Sequence, residues 1–339
     1  MISLNDITLP QLRDVLVQEG IPGYRAGQIF RWFSKGILNI DQMTDLSIEL
    51  REKLKKTFDV KNMVVERKLI SEKDGTIKFL LNCNDKNLVE SVFMRYNYGN
   101  TVCISSQVGC NMGCSFCAST LGGRVRNLTA GEMLAQVSVI QREVGERVSN
   151  IVIMGIGEPL DNFENVMIFL KNINDESGLN IGYRHISLST CGLVNKIKEL
   201  AELEIPLTLS VSLHAPNDEL RSRIMPINKR HSVNELLETC REYINLLHRR
   251  ISFEYILIQG VNDLPGHARE LAQKIKGMLC HVNLIPVNFV EEIGYQRSTR
   301  EATKKFLDIL TRAGINATVR RELGTDIMAA CGQLRRNSS

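Results

Sequence analysis

Cys110, Cys114 and Cys117 stand with three and two residues between them in the stretch Cys110-Asn111-Met112-Gly113-Cys114-Ser115-Phe116-Cys117. Thiolates favour zinc and iron–sulfur clusters over harder ions. A structural zinc normally closes with four protein ligands, and a cubane iron–sulfur cluster takes four thiolates. Three donors in one short loop leave a coordination position open, and an open position is where a substrate or cofactor can bind. A zinc knuckle short of one ligand, or a redox-sensing thiol loop, is the plainer reading of the same spacing.

Other residues able to do chemistry recur at the ends of apolar runs. Met154-Gly155-Ile156-Gly157-Glu158-Pro159 follows the run SNIVIMG. The third glycine of a dinucleotide fingerprint is absent, because Leu160 stands in its place. Glycines at such a point let backbone approach a ligand, and Glu158 is placed to accept from an ammonium; a tight turn explains the same residues without a ligand. Ser189-Thr190 and Ser212-Leu213-His214 close two further runs, and Asn288 follows a third. Hydroxyls, an imidazole and an amide suit a ribose or a carboxylate, although a serine there can simply cap the next helix. Near the end lies Ala329-Ala330-Cys331-Gly332-Gln333-Leu334, whose cysteine is either inert or a nucleophile, depending on exposure and local charge.

The elements that must hold these groups follow from periodicity. Residues 1–60 read as amphipathic helices (after Pro10 to Gly20, Ala26–Phe33, Ser47–Phe58) and form a small accessory domain. Residues 61–100 change to β-branched alternation in VVERKLIS, GTIKFLLN and NLVESVFMRY, a β-rich connecting meander. From 101 to 320, strands (VCISSQV, SNIVIMG, HISLST, LTLSVSLHA, ISFEYILI, CHVNLIPVN) alternate with helices near 130–144, 163–171, 194–203, 233–247, 266–277 and 300–313. NATVRRE is a short final strand. The alternation predicts an α/β fold, a partial (βα)6 barrel of parallel strands with functional residues at their C-terminal ends. Residues 321–339 form a tail.

Bulk properties narrow the classes. With 43% hydrophobic and 24% charged residues, the composition is that of a soluble globular protein. No apolar run approaches a membrane span, and MISLNDITLP has no secretory pattern, so a cytoplasmic protein is expected. Nine cysteines in a reducing compartment are not a disulfide framework. The net charge of +4 is weak evidence for an anionic partner. Arg124 with Arg126, Lys229-Arg230, Arg249-Arg250, Arg320-Arg321 and Arg335-Arg336 are compatible with phosphate contacts, though each alone suits a solvated surface.

Taken in order, CISSQVGCNMGCSFCAST, RNLTAGE, MGIGEPLDN, LST, SLHAPND, MPINKR, GVND, NLIPVN and DIMAACGQL cover nearly the whole chain. They resemble the bacterial dual-specificity 23S ribosomal and transfer RNA adenine-C2 methyltransferases, which are radical S-adenosylmethionine (SAM) enzymes. The resemblance implies a [4Fe–4S] cluster on Cys110, Cys114 and Cys117, whose open iron binds SAM. It implies SAM contacts at Gly157, Glu158, Ser189, Ser212, Leu213, His214 and Asn288. Two SAM molecules are used per turnover. One methylates Cys331; the other gives a 5′-deoxyadenosyl radical that removes hydrogen from the S-methyl group. The carbon radical adds to adenine C2, which has no lone pair for polar methyl transfer. Glu90, in LVESVF, takes the C2 proton, and Cys103 releases the product as a transient disulfide forms.

The resemblance also implies 23S rRNA and tRNA as partners, with an unstacked adenosine, and a flavodoxin or ferredoxin as electron donor. A monomer is expected. Cys191 departs from the family, where many relatives carry serine. The basic pairs and the N-terminal helices are the expected RNA surface. Two other readings compete: the sister enzyme that methylates adenine C8, and a non-catalytic RNA-binding protein with a structural metal.

Overall fold

The computed structural model describes residues 1–335; Arg336 and the three residues after it lie outside the described part. β1 (Ile2–Ser3) is followed by α1 (Leu9–Gln18) and α2 (Arg25–Phe33). Thr8 and Gln11 form the capping box that starts α1. Leu12 and Leu16, one turn apart, are buried with Ala26, Ile29, Phe30 and Phe33 of α2. α3 (Ile48–Thr57) starts at Ser47, whose Oγ accepts from Leu50 N at 3.2 Å. β2 (Phe58–Asp59) then pairs in parallel with β1. That pairing joins the two ends of the helical segment, and neither two-residue strand is long enough to leave a periodic signal.

The meander follows as β3 (Val64–Ile70), β4 (Ile77–Asn82) and β5 (Leu88–Tyr96), all antiparallel neighbours. It is not a separate layer. β5 pairs antiparallel with β6 (Gly99–Cys103), and β6 pairs in parallel with the first strand of the repeating region. VCISSQV is therefore not one strand: β6 ends at Cys103, and β7 (Gln107–Val108) leaves to pair with β8 (Arg126–Asn127).

The alternating region runs α4 (Ala130–Val144), β9 (Asn150–Ile153), α5 (Phe163–Asn174), β10 (Ile186–Thr190), α6 (Val194–Glu202) and β11 (Thr208–Ser212). It continues with α7 (Asp218–Ile224), α8 (Val233–Leu247), β12 (Ile251–Leu257), α9 (Pro265–Ile275), β13 (Cys280–Pro286), α10 (Arg300–Arg312) and β14 (Ala317–Val319). The sheet is open, in the order β14-β13-β12-β11-β10-β9-β6-β5-β4-β3. The expected partial barrel is present, with β14 as a seventh parallel strand.

The two faces of its strands differ. Ile151, Ile153, Ile186, Leu188, Leu209, Val211, Phe253, Tyr255, Val282 and Leu284 are buried in the main core. The alternate positions on the concave side include Ser187, Ser189, Ser210, Ser212, Ser252, Glu254, His281 and Asn283. A closed barrel fills this space with branched apolar side chains. Here the concave side is polar and open.

Candidate active site

The cysteine loop leaves β7 and lies over the C-terminal ends of β9, β10 and β11. Cys110, Cys114 and Cys117 line one cavity with Gly157, Glu158, Ser189, Ser212 and His214. Burial pushes the Cys110 thiol up to about 12 and raises Cys114 and Cys117. Among the described residues no three His, Cys, Asp or Glu side chains converge as a single metal ion requires. The three thiols do line one shared cavity. The all-sulfur donor set is also right for iron–sulfur, and bound metal supplies the positive charge that deprotonates buried thiols. The residues present fit a [4Fe–4S] cluster.

Glu158 is 4% exposed. Its Oε1 accepts from Leu160 N at 3.0 Å and its Oε2 from Cys191 N at 2.7 Å. Burial raises its pKa, against those hydrogen bonds. A cation entering the cavity would offset that burial cost. The two glycines before it line the same cavity and also have a packing task. A Cβ on Gly155 would lie 2.7 Å from the Ile104 carbonyl oxygen, and one on Gly157, at φ +110°, 2.6 Å from Gln107 Cβ. Glycine is needed because this turn packs on the chain that follows β6. Cys191 is a fourth thiol on the same cavity, and its backbone N–H holds Glu158.

Leu213 and Asn288 are placed apart from this group. The Leu213 side chain is wholly buried in the core, and its backbone oxygen accepts from Arg221 Nε at 3.1 Å. Asn288 Nδ2 donates to the Cys331 carbonyl at 2.9 Å, in a neighbouring cavity.

Arg221, on the unanticipated α7, is fully buried. Besides Leu213, its guanidinium donates to the carbonyls of Cys191 (2.7 Å) and Ser212 (3.1 Å) and to Asn228 Oδ1 (3.1 Å). One fork thus joins the ends of β10 and β11. Arg221→Met leaves three carbonyls without this donor, so stability should fall by at least about 3 kcal/mol in denaturant titration. Lysine should not restore it, lacking the fork.

His214 accepts from Ile256 N through Nδ1 at 3.0 Å and meets Phe116 edge-on, centroids 4.8 Å apart. Burial, assisted by the Arg221 charge, pushes its pKa down to about 3. The unfolded imidazole protonates near pH 6.5. The stability this neutral ring contributes is therefore complete above that pH and is lost as pH falls toward 3. At φ +58° the position suits asparagine, whose Oδ1 can replace Nδ1. Urea midpoints of His214→Asn should fall less than wild type between about pH 7 and pH 4.

A second cavity contains Cys103, at the end of β6, together with Cys331, Asn288, Met94, Tyr96 and Arg320. Burial, and next the charge of Cys331, push the Cys103 thiol up to about 12. Arg320 is held protonated first by Cys331 and also by Glu254, 3.9 Å away. Arg320 and Arg321 both line this cavity, Arg320 half-buried beside the thiols and Arg321 exposed at its edge. Glu90 lies on β5 two residues from Val92, which lines the cavity. It is 1% exposed and ion-paired with Lys78 at 3.0 Å.

The tail closes both cavities. Ala118 N donates to Gly332 O at 2.8 Å and Ser119 Oγ to Leu334 O at 2.8 Å, linking the cysteine loop to the residues after Cys331. Arg335 N donates to Glu90 Oε2 at 2.8 Å. No periodic signal could have shown this docking. All nine cysteines are free thiols.

Known proteins resemble this chain along its whole length. The model of the Radical SAM superfamily matches residues 104–275, and that of the Ribosomal RNA large subunit methyltransferase N-terminal domain matches residues 2–60. A protein of Alkaliphilus oremlandii named "Probable dual-specificity RNA methyltransferase RlmN" is 55% identical, with 99% of this chain and 98% of that one covered. The chain belongs to the RlmN family of radical SAM methyltransferases. A Clostridium novyi RlmN relative is 51% identical with the same coverage. A crystal structure of a radical SAM methyltransferase from Sphaerobacter thermophilus superposes with a TM-score of 0.95 at 45% identity, covering 99% of this chain and all of that one. The RlmN family match extends over helical segment, barrel and tail alike. No helix among the described residues is long and apolar enough to cross a membrane.

Proposed function

We propose that this RlmN-type RNA methyltransferase places a methyl group on C2 of an adenosine in 23S rRNA and in some tRNAs, carrying the carbon on Cys331. The observation that carries the reading is the pair of adjoining cavities. One gathers three thiols with Glu158, and the other holds two further thiols beside Arg320. A [4Fe–4S] cluster on Cys110, Cys114 and Cys117, with SAM bound to it, supplies the one-electron chemistry that makes a carbon radical. The chain's own residues do the rest. Glu158 receives the methionyl ammonium, and Ser189 and Ser212 offer hydroxyls to the ribose or carboxylate. Cys331 is held by Asn288 and the tail hydrogen bonds, Cys103 releases the product, and Glu90 takes the C2 proton. Arg320 lies in the same cavity as both thiols, and its charge opposes the burial that raises Cys103.

We further propose a cytoplasmic monomer reduced by a flavodoxin or ferredoxin. The test is anaerobic reconstitution with SAM, a reductant and ribosomal RNA, followed by nuclease mapping and mass spectrometry. 2-Methyladenosine and 5′-deoxyadenosine are expected. 8-Methyladenosine as the only product would overturn the choice of carbon. A colourless protein that makes neither product would overturn the enzyme reading.

A further inference from the structure

A wide concave space lies at the opposite end of the barrel from the cysteine loop. It holds about 520 Å³, within the ~300–1,000 Å³ of a ligand pocket, so its size alone does not name the ligand. Its rim is built at the N-terminal ends of the parallel strands, where Asn150, Thr208 and His281 begin or nearly begin β9, β11 and β13. None of the residues assigned to SAM or the cluster lines it.

Three features point to one class of ligand. The first is charge. Arg184, Arg250, Arg320 and Arg321 line the space against a single carboxylate, Glu254. Arg320 is committed to Glu254 and the thiols. Arg184, Arg250 and Arg321 are exposed, and their guanidinium groups have no ion-pair or hydrogen-bond partner among the described residues. Three unpaired forks around one concavity match phosphate oxygens. The second is an aromatic platform. Tyr98 is 73% exposed and stacks on Tyr96, with centroids 4.9 Å apart and planes 10° apart. A tyrosine braced in this way presents a flat face to a base. The third is continuity. Met94, Tyr96, Arg320 and Arg321 line both this space and the cavity of Cys103 and Cys331.

We propose that the RNA strand enters at this arginine-rimmed N-terminal end of the barrel, with its phosphates on Arg184, Arg250 and Arg321 and a base on Tyr98, so that the target adenosine passes Tyr96 and Arg320 to reach Cys331. The proposal rests on the RNA methyltransferase reading above. It keeps Arg250 and Arg321, from two of the expected basic pairs, as the RNA surface and places the principal contacts on the barrel floor rather than on the N-terminal helices. The neighbouring cavity that would receive the base is bounded by Met94, Tyr96 and Ile285, and an adenosine in a duplex would have to leave its stack to enter it.

The test uses the reconstituted full-length protein and a hairpin RNA with adenosine in its loop, with affinity measured over a range of salt concentrations. Arg184→Glu with Arg250→Glu should weaken binding and lower the salt slope by about one for each phosphate no longer neutralised. Tyr98→Ala should weaken binding about tenfold with the slope unchanged. The altered side chains are exposed, so cluster content and the affinity for SAM should match wild type, which separates weakened RNA binding from a damaged fold. Variants that bind this RNA with wild-type affinity and slope would sink the entry path while leaving the RNA methyltransferase reading intact. The same weakening from charge reversal at Lys53 and Lys56 of α3, with none from the barrel-floor variants, would return the RNA surface to the helices. Wild-type protein with no affinity for the RNA would instead overturn the reading on which the proposal rests.

Discussion

Cys331→Ala should reduce RNA methylation by at least about 10⁴-fold, the order expected when the group that carries the covalent intermediate is deleted. Cluster content should be unchanged, because Cys331 is not one of the three loop thiols and lines a different cavity. Cys103→Ala should stop the reaction later, after the carbon has joined the base and before the sulfur is released. A protein–RNA species should then accumulate that survives denaturing electrophoresis and collapses on nuclease treatment. The two thiols share one cavity, so either substitution leaves the other in place beside Arg320. Free methylated RNA at the wild-type rate from either variant would refute the division of labour between them.

The second large effect concerns Glu90. It is 1% exposed and Lys78 8%, and their 3.0 Å ion pair lies inside the sheet. Glu90→Ala leaves the Lys78 cation buried without this carboxylate, which should cost about 3–5 kcal/mol of stability. Such a drop could mask a chemical role, so the informative variant is Glu90→Gln combined with Lys78→Met. This pair removes both charges and keeps the volume nearly constant. Its unfolding midpoint should return toward wild type, while methylation stays down by about 10²–10⁴-fold, the range for removal of a general base. Recovery of activity along with stability would assign Glu90 to packing alone.

The site is legible in the sequence where its meaning is local. The spacing of Cys110, Cys114 and Cys117 is a property of one loop, and Glu158, Ser189 and Ser212 can be placed once the strands before them are recognised. Periodicity alone predicts helices α4 and α8 over the residues they occupy, because Thr129 and Ser232 cap long amphipathic runs. What cannot be read depends on neighbours distant along the chain. Arg221 carries no signal in the sequence, yet it is fully buried and joins two strand ends. Lys78, in an otherwise apolar strand, gains its meaning from Glu90 on the neighbouring strand. The glycines of Met154-Gly155-Ile156-Gly157 suggest ligand approach and they do line the cavity, but that packing against Ile104 and Gln107 also requires them is not visible in the sequence. The polar alternation in β10 to β13 is visible as letters. Its meaning, an open interior, depends on knowing that the sheet does not close.

One pairing has a consequence for how this protein can vary. β5 runs antiparallel to β6 with Val92 opposite Cys103. Glu90, Val92, Met94 and Tyr96 share a face because they alternate along β5. A single residue inserted within β5 would turn part of that row to the other face, replacing the carboxylate by Val89 or Ser91. A much longer insertion in the Asn82–Asn87 connection would leave every one of these positions in register. Length variation at this seam should therefore be confined to the hairpin tip, and a count of residues along β5 would tell an active homologue from an inactive one more reliably than overall identity.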